Sequence, residues 1–184
     1  MSSAKLILCL SVSYLVSIKI LTFLMRSLQN GLKLKFLMFC YHLLLLFLNA
    51  YISARIVYIK YRANDFKLCS SIKSQNTAYS VEVNKIVWWF FILKGLECID
   101  TIFFILRKKF HKVSFLHLYN HATMFVLWYF TTGYYANGTS AVAAFMNSLI
   151  HVLMYYYYTV SALGPSFQRL VFWKKYLILF QIVI

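Results

Sequence analysis

Residues Phe36 to Tyr58 read FLMFCYHLLLLFLNAYISARIVY, a run with a single formal charge, Arg55. About 20 apolar residues at 1.5 Å rise each cross a hydrocarbon core of about 30 Å, so this run can span a bilayer as one helix. Runs of the same kind cover Leu6 to Met25, Ile86 to Leu106, Phe115 to Tyr134 and Ala141 to Leu163. A further run begins near Tyr176 and is still going at Ile184. The pattern predicts an all-α fold: a polytopic transmembrane helix bundle with five complete spans plus the start of a sixth. It is expected to form one domain over residues 1–184 that stops short at its C-terminus.

Composition supports the same reading. The 184 residues are 62% apolar and 12% charged, with a mean hydropathy of +0.69, whereas a soluble domain carries about a quarter of its residues as charges. The formal charge of +15 raises the alternative of a nucleic-acid binder. Such a protein sets its cations along one face of a soluble fold; here they stand between apolar runs, so membrane lipid and not nucleic acid is the expected surroundings. The first run has a rival reading as a secretory signal, because Lys5 precedes it. It lacks a small-residue cleavage site and Lys19 can snorkel from a tilted helix, which favours a retained span. Cys9, Cys40, Cys69 and Cys98 have no CxxC spacing. The three in apolar runs are expected to be small core residues.

Orientation follows from loop charge. Arg107-Lys108-Lys109-Phe110-His111-Lys112 and the stretch Arg169 to Lys175 are basic, while Gly133 to Ala144 is uncharged. Positive-inside bias puts the basic loops in the cytosol and the neutral one across the membrane. The Asn137-Gly138-Thr139 sequon agrees with that side. The connection Ile59 to Lys85 is counted to the same far side although it holds Lys60, Arg62, Lys67, Lys73 and Lys85.

Three runs carry polar residues where lipid disfavours them, at about 2.5–3.5 kcal/mol for a mid-bilayer charge. Lys94, Glu97, Asp100 and Thr101 fall within an arc of about 120° on a helix of 100° per residue. Such a stripe either locks helices together or builds a site. His117, Asn120, His121 and Met124 share a face at i, i+3, i+4 and i+7. Asn147, His151, Met154, Tyr155 and Tyr158 do so in the last complete run. Stripes of this kind satisfy one another by facing inward, which predicts a polar cavity open toward the basic loops. Iron-dependent lipid oxidation needs more histidine ligands than the five present. Zinc is also unsupported, since His117 and His121 have no acid between them and no thiol nearby. Imidazole acting as nucleophile or general base on an acyl group fits the set better.

The motifs carry a resemblance. Lys94-Gly95-Leu96-Glu97-Cys98-Ile99-Asp100-Thr101 resembles the KxxExxDT signature of the very-long-chain fatty acid elongases, the ELO family. His117-Leu118-Tyr119-Asn120-His121 resembles its HxxHH box. Asn147 to Tyr155 is similar to its NxxxHxxMY motif, and Lys174-Lys175-Tyr176 leading to Gln181 to its KKYxTxxQ segment. The resemblance implies a seven-helix 3-ketoacyl-CoA synthase of the endoplasmic reticulum membrane, multi-pass, with its active site facing the cytosol. Such an enzyme condenses acyl-CoA with malonyl-CoA through a histidine-borne acyl group and needs no bound cofactor or metal. It implies catalytic roles for Lys94, Glu97, Asp100, His117, Asn120, His121, Asn147 and His151. Substrate contacts are implied for Arg107, Lys108, Lys109, Tyr155, Tyr158, Lys174, Lys175 and Gln181, and oligomers with itself or other elongases are expected. Two positions depart from the pattern: Asn120 replaces the second box histidine and Ile178 the threonine. A chain with Asn120 is therefore either a working condensing enzyme or a non-catalytic paralogue or fragment that binds acyl-CoA or a full-length elongase.

Overall fold

A computed structural model describes residues 2–64, 77–134 and 138–163. Every regular element among them is helical: α1 (Ser2–Ser27), α2 (Lys35–Arg62), α3 (Thr77–Glu97), α4 (Ile99–Leu106), a 3-10 turn at Phe110–Lys112, α5 (Phe115–Tyr134) and α6 (Gly138–Leu163). Among the described residues, three helices are long and apolar enough to cross a membrane, within Lys5–Ser27, Lys35–Arg62 and Gly138–Ala162. Four of the five expected runs match helices closely. The third does not: its helix starts nine residues earlier, at Thr77, and the single rod expected over Ile86 to Leu106 is interrupted at Cys98. Cys98 keeps α-type dihedrals (φ −60°, ψ −22°), so α3 and α4 count as one rod with a local fault. The expected sixth span lies outside the described residues.

The chain groups into two compact units. The first comprises Met1–Leu34 and Phe91–Gly133, the second Lys35–Phe90 and Tyr134–Ile184.

In the first unit, Ile18 and Met25 of α1 bury against Ile105 of α4, with Tyr14, Leu21, Ile102, Leu106, Phe110, Val113 and Leu118 packed around them. The opposite side of α1 leaves Leu6, Val12, Val16, Ile20 and Phe23 exposed. An apolar surface of that extent suits lipid rather than water. Cys9 and Cys40, expected in the core, are exposed, and Cys98 is half-buried. The period of the buried positions turns the first two outward.

The end of α4 closes in a left-handed cap. Lys108 takes φ 57°, its N–H donates to Ile105 O at 2.8 Å, and the Lys109 N–H donates to Phe104 O at 2.9 Å. This is the Schellman pattern, with lysine where glycine is commonest. The Lys108 ammonium in turn donates to the Leu28 carbonyl just beyond the end of α1. The Leu32 N–H reaches Leu106 O at 2.9 Å, so the α1–α2 connection and the α4–α5 connection lie on one side of this unit. Arg26 and Lys33 therefore join Arg107, Lys108, Lys109 and Lys112 there. Burial, and then the charge of Arg107, lower the pKa of Lys109 from its ordinary value. Gly31 makes the docking possible, because a Cβ there would stand 3.0 Å from the backbone carbon and oxygen of Arg107.

In the second unit α2 buries Met38, His42, Leu45, Asn49, Ile52, Ile56 and Ile59. That alternating spacing of four and three is the seam of a left-handed helix pair. It meets α6, where Ala141, Ala144, Ser148, His151 and Tyr155 are buried at matching intervals. His42 lies against Tyr155 and Tyr158, while Val57 and Tyr61 share a groove with Phe145. The two helices are therefore antiparallel. Ala141, Ala144 and Ser148 are small, which lets two backbones approach closely where no hydrophobic force joins helices in lipid.

Replacing Gly31 by alanine is expected to lower stability by about 1–3 kcal/mol, the usual cost of forcing atoms into a packed contact. Gly133→Ala, where a Cβ meets nothing within 4 Å, should be neutral or gain up to about 1 kcal/mol from helix propensity. Thermal melting of the two variants in detergent checks the contrast.

Candidate active site

The first unit gathers two of the predicted stripes. On α3 and α4, Lys94 (4% exposed), Glu97 (0%), Asp100 (2%) and Thr101 (0%) all face inward, so the interruption at Cys98 leaves the stripe intact. The Lys94 ammonium donates to Glu97 Oε2 at 2.7 Å. Cys98 Sγ donates to the Lys94 carbonyl at 3.4 Å. Gly95, on the same helix, has the Phe125 ring of α5 within 3.2 Å of where a Cβ would stand, so α3 and α5 pass close together.

Helix α5 begins with a serine cap. Ser114 Oγ accepts the His117 N–H at 3.1 Å and Ser114 O accepts the Leu118 N–H at 3.1 Å, the usual N-cap arrangement. His117 is thereby fixed in the first turn, half-buried, with Asn120 and His121, also half-buried, on the next. Its Nε2 lies 3.1 Å from Thr101 Oγ1, and its ring meets that of His121 edge-on at 4.5 Å. Thr101 also accepts the Tyr14 hydroxyl of α1 at 2.8 Å. The last residue of the first stripe and the first residue of the second are thus joined directly. Tyr14 went unnoticed in the sequence, because α1 carries no motif and a tyrosine in an apolar run reads as packing.

The second unit holds the third stripe. His151 lies 5.8 Å from Tyr155 between ring centroids, and Tyr155 lies 6.3 Å from Tyr158. His42 of α2, which belongs to none of the three stripes, is buried beside this one, 5.9 Å from Tyr155 and 5.2 Å from Tyr158. Only the heptad spacing of α2 could have shown this. Asn147 and Met154 are half-buried on the same helix, and Asn147 Oδ1 has no hydrogen-bond partner among the described residues. Arg107, Lys108 and Lys109 are half-buried at the basic end of the first unit. Lys174, Lys175 and Gln181 lie outside the described residues. No group of three or more histidine, cysteine or acidic side chains among the described residues could hold a metal ion.

Chemically, the first unit offers imidazoles beside buried hydroxyls and a neutralised ion pair, the equipment of nucleophilic and acid–base chemistry on a neutral carbonyl substrate. The ion pair has a testable cost. Lys94→Met should destabilise the chain by about 3–5 kcal/mol by stranding a buried carboxylate, while Lys94→Met with Glu97→Leu should recover most of that loss. Melting temperatures of the three proteins decide it.

Comparison with known proteins matches the chain to ELO, the GNS1/SUR4 family, over residues 1–184. It is 37% identical over 155 residues to very long chain fatty acid elongase 4 of Homo sapiens, covering 84% of this chain and 49% of that protein. It is 35% identical over 174 residues to elongase 2 of Mus musculus, covering 95% and 59%. It is 38% identical over 143 residues to elongase 5 of Tachysurus fulvidraco, covering 78% and 48%. The chain spans about half the length of the curated relatives it matches. With a match running from the first residue to the last, the chain belongs to the ELO family of very-long-chain fatty acid elongases.

Proposed function

We propose that the chain is a condensing enzyme of fatty acid elongation, joining a long-chain acyl-CoA to malonyl-CoA to give 3-oxoacyl-CoA, carbon dioxide and CoA. The observation that carries this reading is the 3.1 Å approach of Thr101, from the KxxExxDT motif, to His117 of the box. Residues of two separate family motifs converge on one imidazole in the unit that also holds Lys94, Glu97 and Asp100.

In the proposed chemistry a box imidazole nitrogen attacks the thioester carbonyl, the C–S bond breaks and CoA leaves as thiolate. Malonyl-CoA then loses carbon dioxide. The enolate carbon it leaves attacks the acyl-imidazole carbonyl, and the C–N bond breaks to restore the ring. Covalent capture splits one hard condensation into two easier steps. Asn120 cannot carry the acyl group, but its amide can donate to the thioester oxygen. The polar stripes of α3/α4 and α5, both in the first unit, would face the bound acyl-CoA. Both the α3/α4 rod and α5 would cross the endoplasmic reticulum membrane, their polar stripes turned away from lipid. Two crossings between α2 and α6 agree with the antiparallel pairing of those helices. The cations at the basic end would face the cytosol and draw in the CoA phosphates, with Lys174 and Lys175 adding to them. The reaction needs no bound cofactor, and assembly with itself or another elongase is part of the proposal.

Asn120 favours a second reading: a non-catalytic paralogue that binds acyl-CoA or a full-length elongase. Microsomes lacking their own elongases, supplied with labelled malonyl-CoA and a panel of acyl-CoAs, separate the two. The condensing reading expects 3-oxoacyl-CoA from the unmodified chain, reduced by about 10²-fold or more in His121→Ala, the scale of loss of a proton-transfer or nucleophilic group. Product from Asn120→His alone, or from neither chain, would establish the second reading.

A further inference from the structure

The buried hydroxyl of Thr101 has a proton to place. Its oxygen accepts the Tyr14 O–H at 2.8 Å and lies 3.1 Å from His117 Nε2. Threonines of α1 and α5 bond back to their own carbonyls: Thr22 to Ile18, Thr123 to Tyr119, Thr131 to Leu127. Thr101 does not; among the described residues its hydroxyl has Tyr14 and His117 as its hydrogen-bond partners. It is wholly buried, so water cannot take the proton, and a buried hydroxyl that fails to donate costs about 1–3 kcal/mol. Tyr14 donates, so the Thr101 proton goes to the Nε2 lone pair.

We propose that Tyr14 is a positioning residue which, through Thr101, locks His117 as the neutral imidazole protonated at Nδ1 with its Nε2 lone pair engaged. The direction of the chain is set at its far end. A phenol in an apolar helix has an O–H to satisfy, and Thr101 is the acceptor that meets it. The Ser114 cap holds the backbone of His117, the Tyr14–Thr101 chain holds one nitrogen of the ring, and the edge-on contact with His121 holds the plane. Resting on the condensing reading, one consequence follows for chemistry. A ring with a proton on one nitrogen and a hydrogen bond on the other is a poor nucleophile, which makes His117 a support and assigns the acyl group to His121. In the box as it stands here, with Asn at 120, the two imidazoles then have different tasks.

The test reads the tautomer directly and does not depend on turnover. The full chain is labelled with 15N-histidine in nanodiscs, and ring nitrogen correlations are recorded at neutral pH, the His117→Gln variant assigning the His117 signals. The proposal expects a pyrrole-type Nδ1 and a pyridine-type Nε2 for His117. In Tyr14→Phe the Thr101 hydroxyl is released to donate to its own helix carbonyl, as the other threonines do, and to accept from Nε2–H, so the Nδ1–H form should fall from the dominant species to a minority. Thr101→Ser, which keeps the hydroxyl, should retain the wild-type pattern and Thr101→Val should lose it. Circular dichroism melts of each variant show whether the helices persist. A wild-type His117 protonated at Nε2, or a Tyr14→Phe spectrum identical to wild type in a folded protein, would overturn the proposal. If the tautomer is found as expected and the chain makes no 3-oxoacyl-CoA, the lock stands and the condensing reading falls.

Discussion

A lysine, two carboxylates and a threonine occupy one face of a helix that is otherwise built for an apolar surrounding, and that face must be buried. Lys94 and Glu97 neutralise each other at 2.7 Å, yet two ions removed from water do not gain stability merely by pairing. Their surroundings must then satisfy the remaining polar groups. Much of the first unit follows: α1 supplies Tyr14 to Thr101, α5 brings His117 to the same hydroxyl, and Ser114 caps α5 so that the imidazole stands in its first turn. A bundle made for packing alone would fill these positions with leucine. The arrangement fits the chemistry proposed for it better than it fits a role in stability alone.

The second unit solves a different problem with a different device. Helices in lipid gain little from burying apolar side chains against one another, so close approach and interior polar contacts have to supply the association. Ala141, Ala144 and Ser148 give the close approach toward one end of α6, and His151 and Tyr155 sit with His42 toward the other. In the first unit the docking of two connections, through Leu32–Leu106 and Lys108–Leu28, collects six cations on one side. That asymmetry comes from geometry instead of counting.

The helices were legible in the sequence because their lengths are imposed by a bilayer and their apolar runs are nearly uninterrupted. The polar stripes were legible because few charges occur in such runs, so each announces itself. What escaped was the result of contacts between segments distant in the chain. Tyr14 becomes more than packing only once Thr101, 87 residues later, is beside it. His42 looked unattached because its neighbours, Tyr155 and Tyr158, are on a helix more than a hundred residues away. The early start of α3 at Thr77 was hidden by polar residues that lower hydropathy without preventing a helix. The fault at Cys98 has no sequence signal beyond Gly95, one turn earlier. Lys108 was read as a phosphate contact or a topology signal, whereas it is also the left-handed end of α4 and a donor to the end of α1.

The central claim is that a histidine of this chain carries an acyl group, and covalent capture tests it most directly. Purified chain in nanodiscs would be mixed with a labelled long-chain acyl-CoA without malonyl-CoA, quenched rapidly and examined by peptide mass spectrometry. The account predicts one equivalent of free CoA released and the acyl mass on the peptide that contains His121, with the adduct discharged on adding malonyl-CoA. Absence of any adduct, or an adduct that persists in His121→Ala, would contradict it.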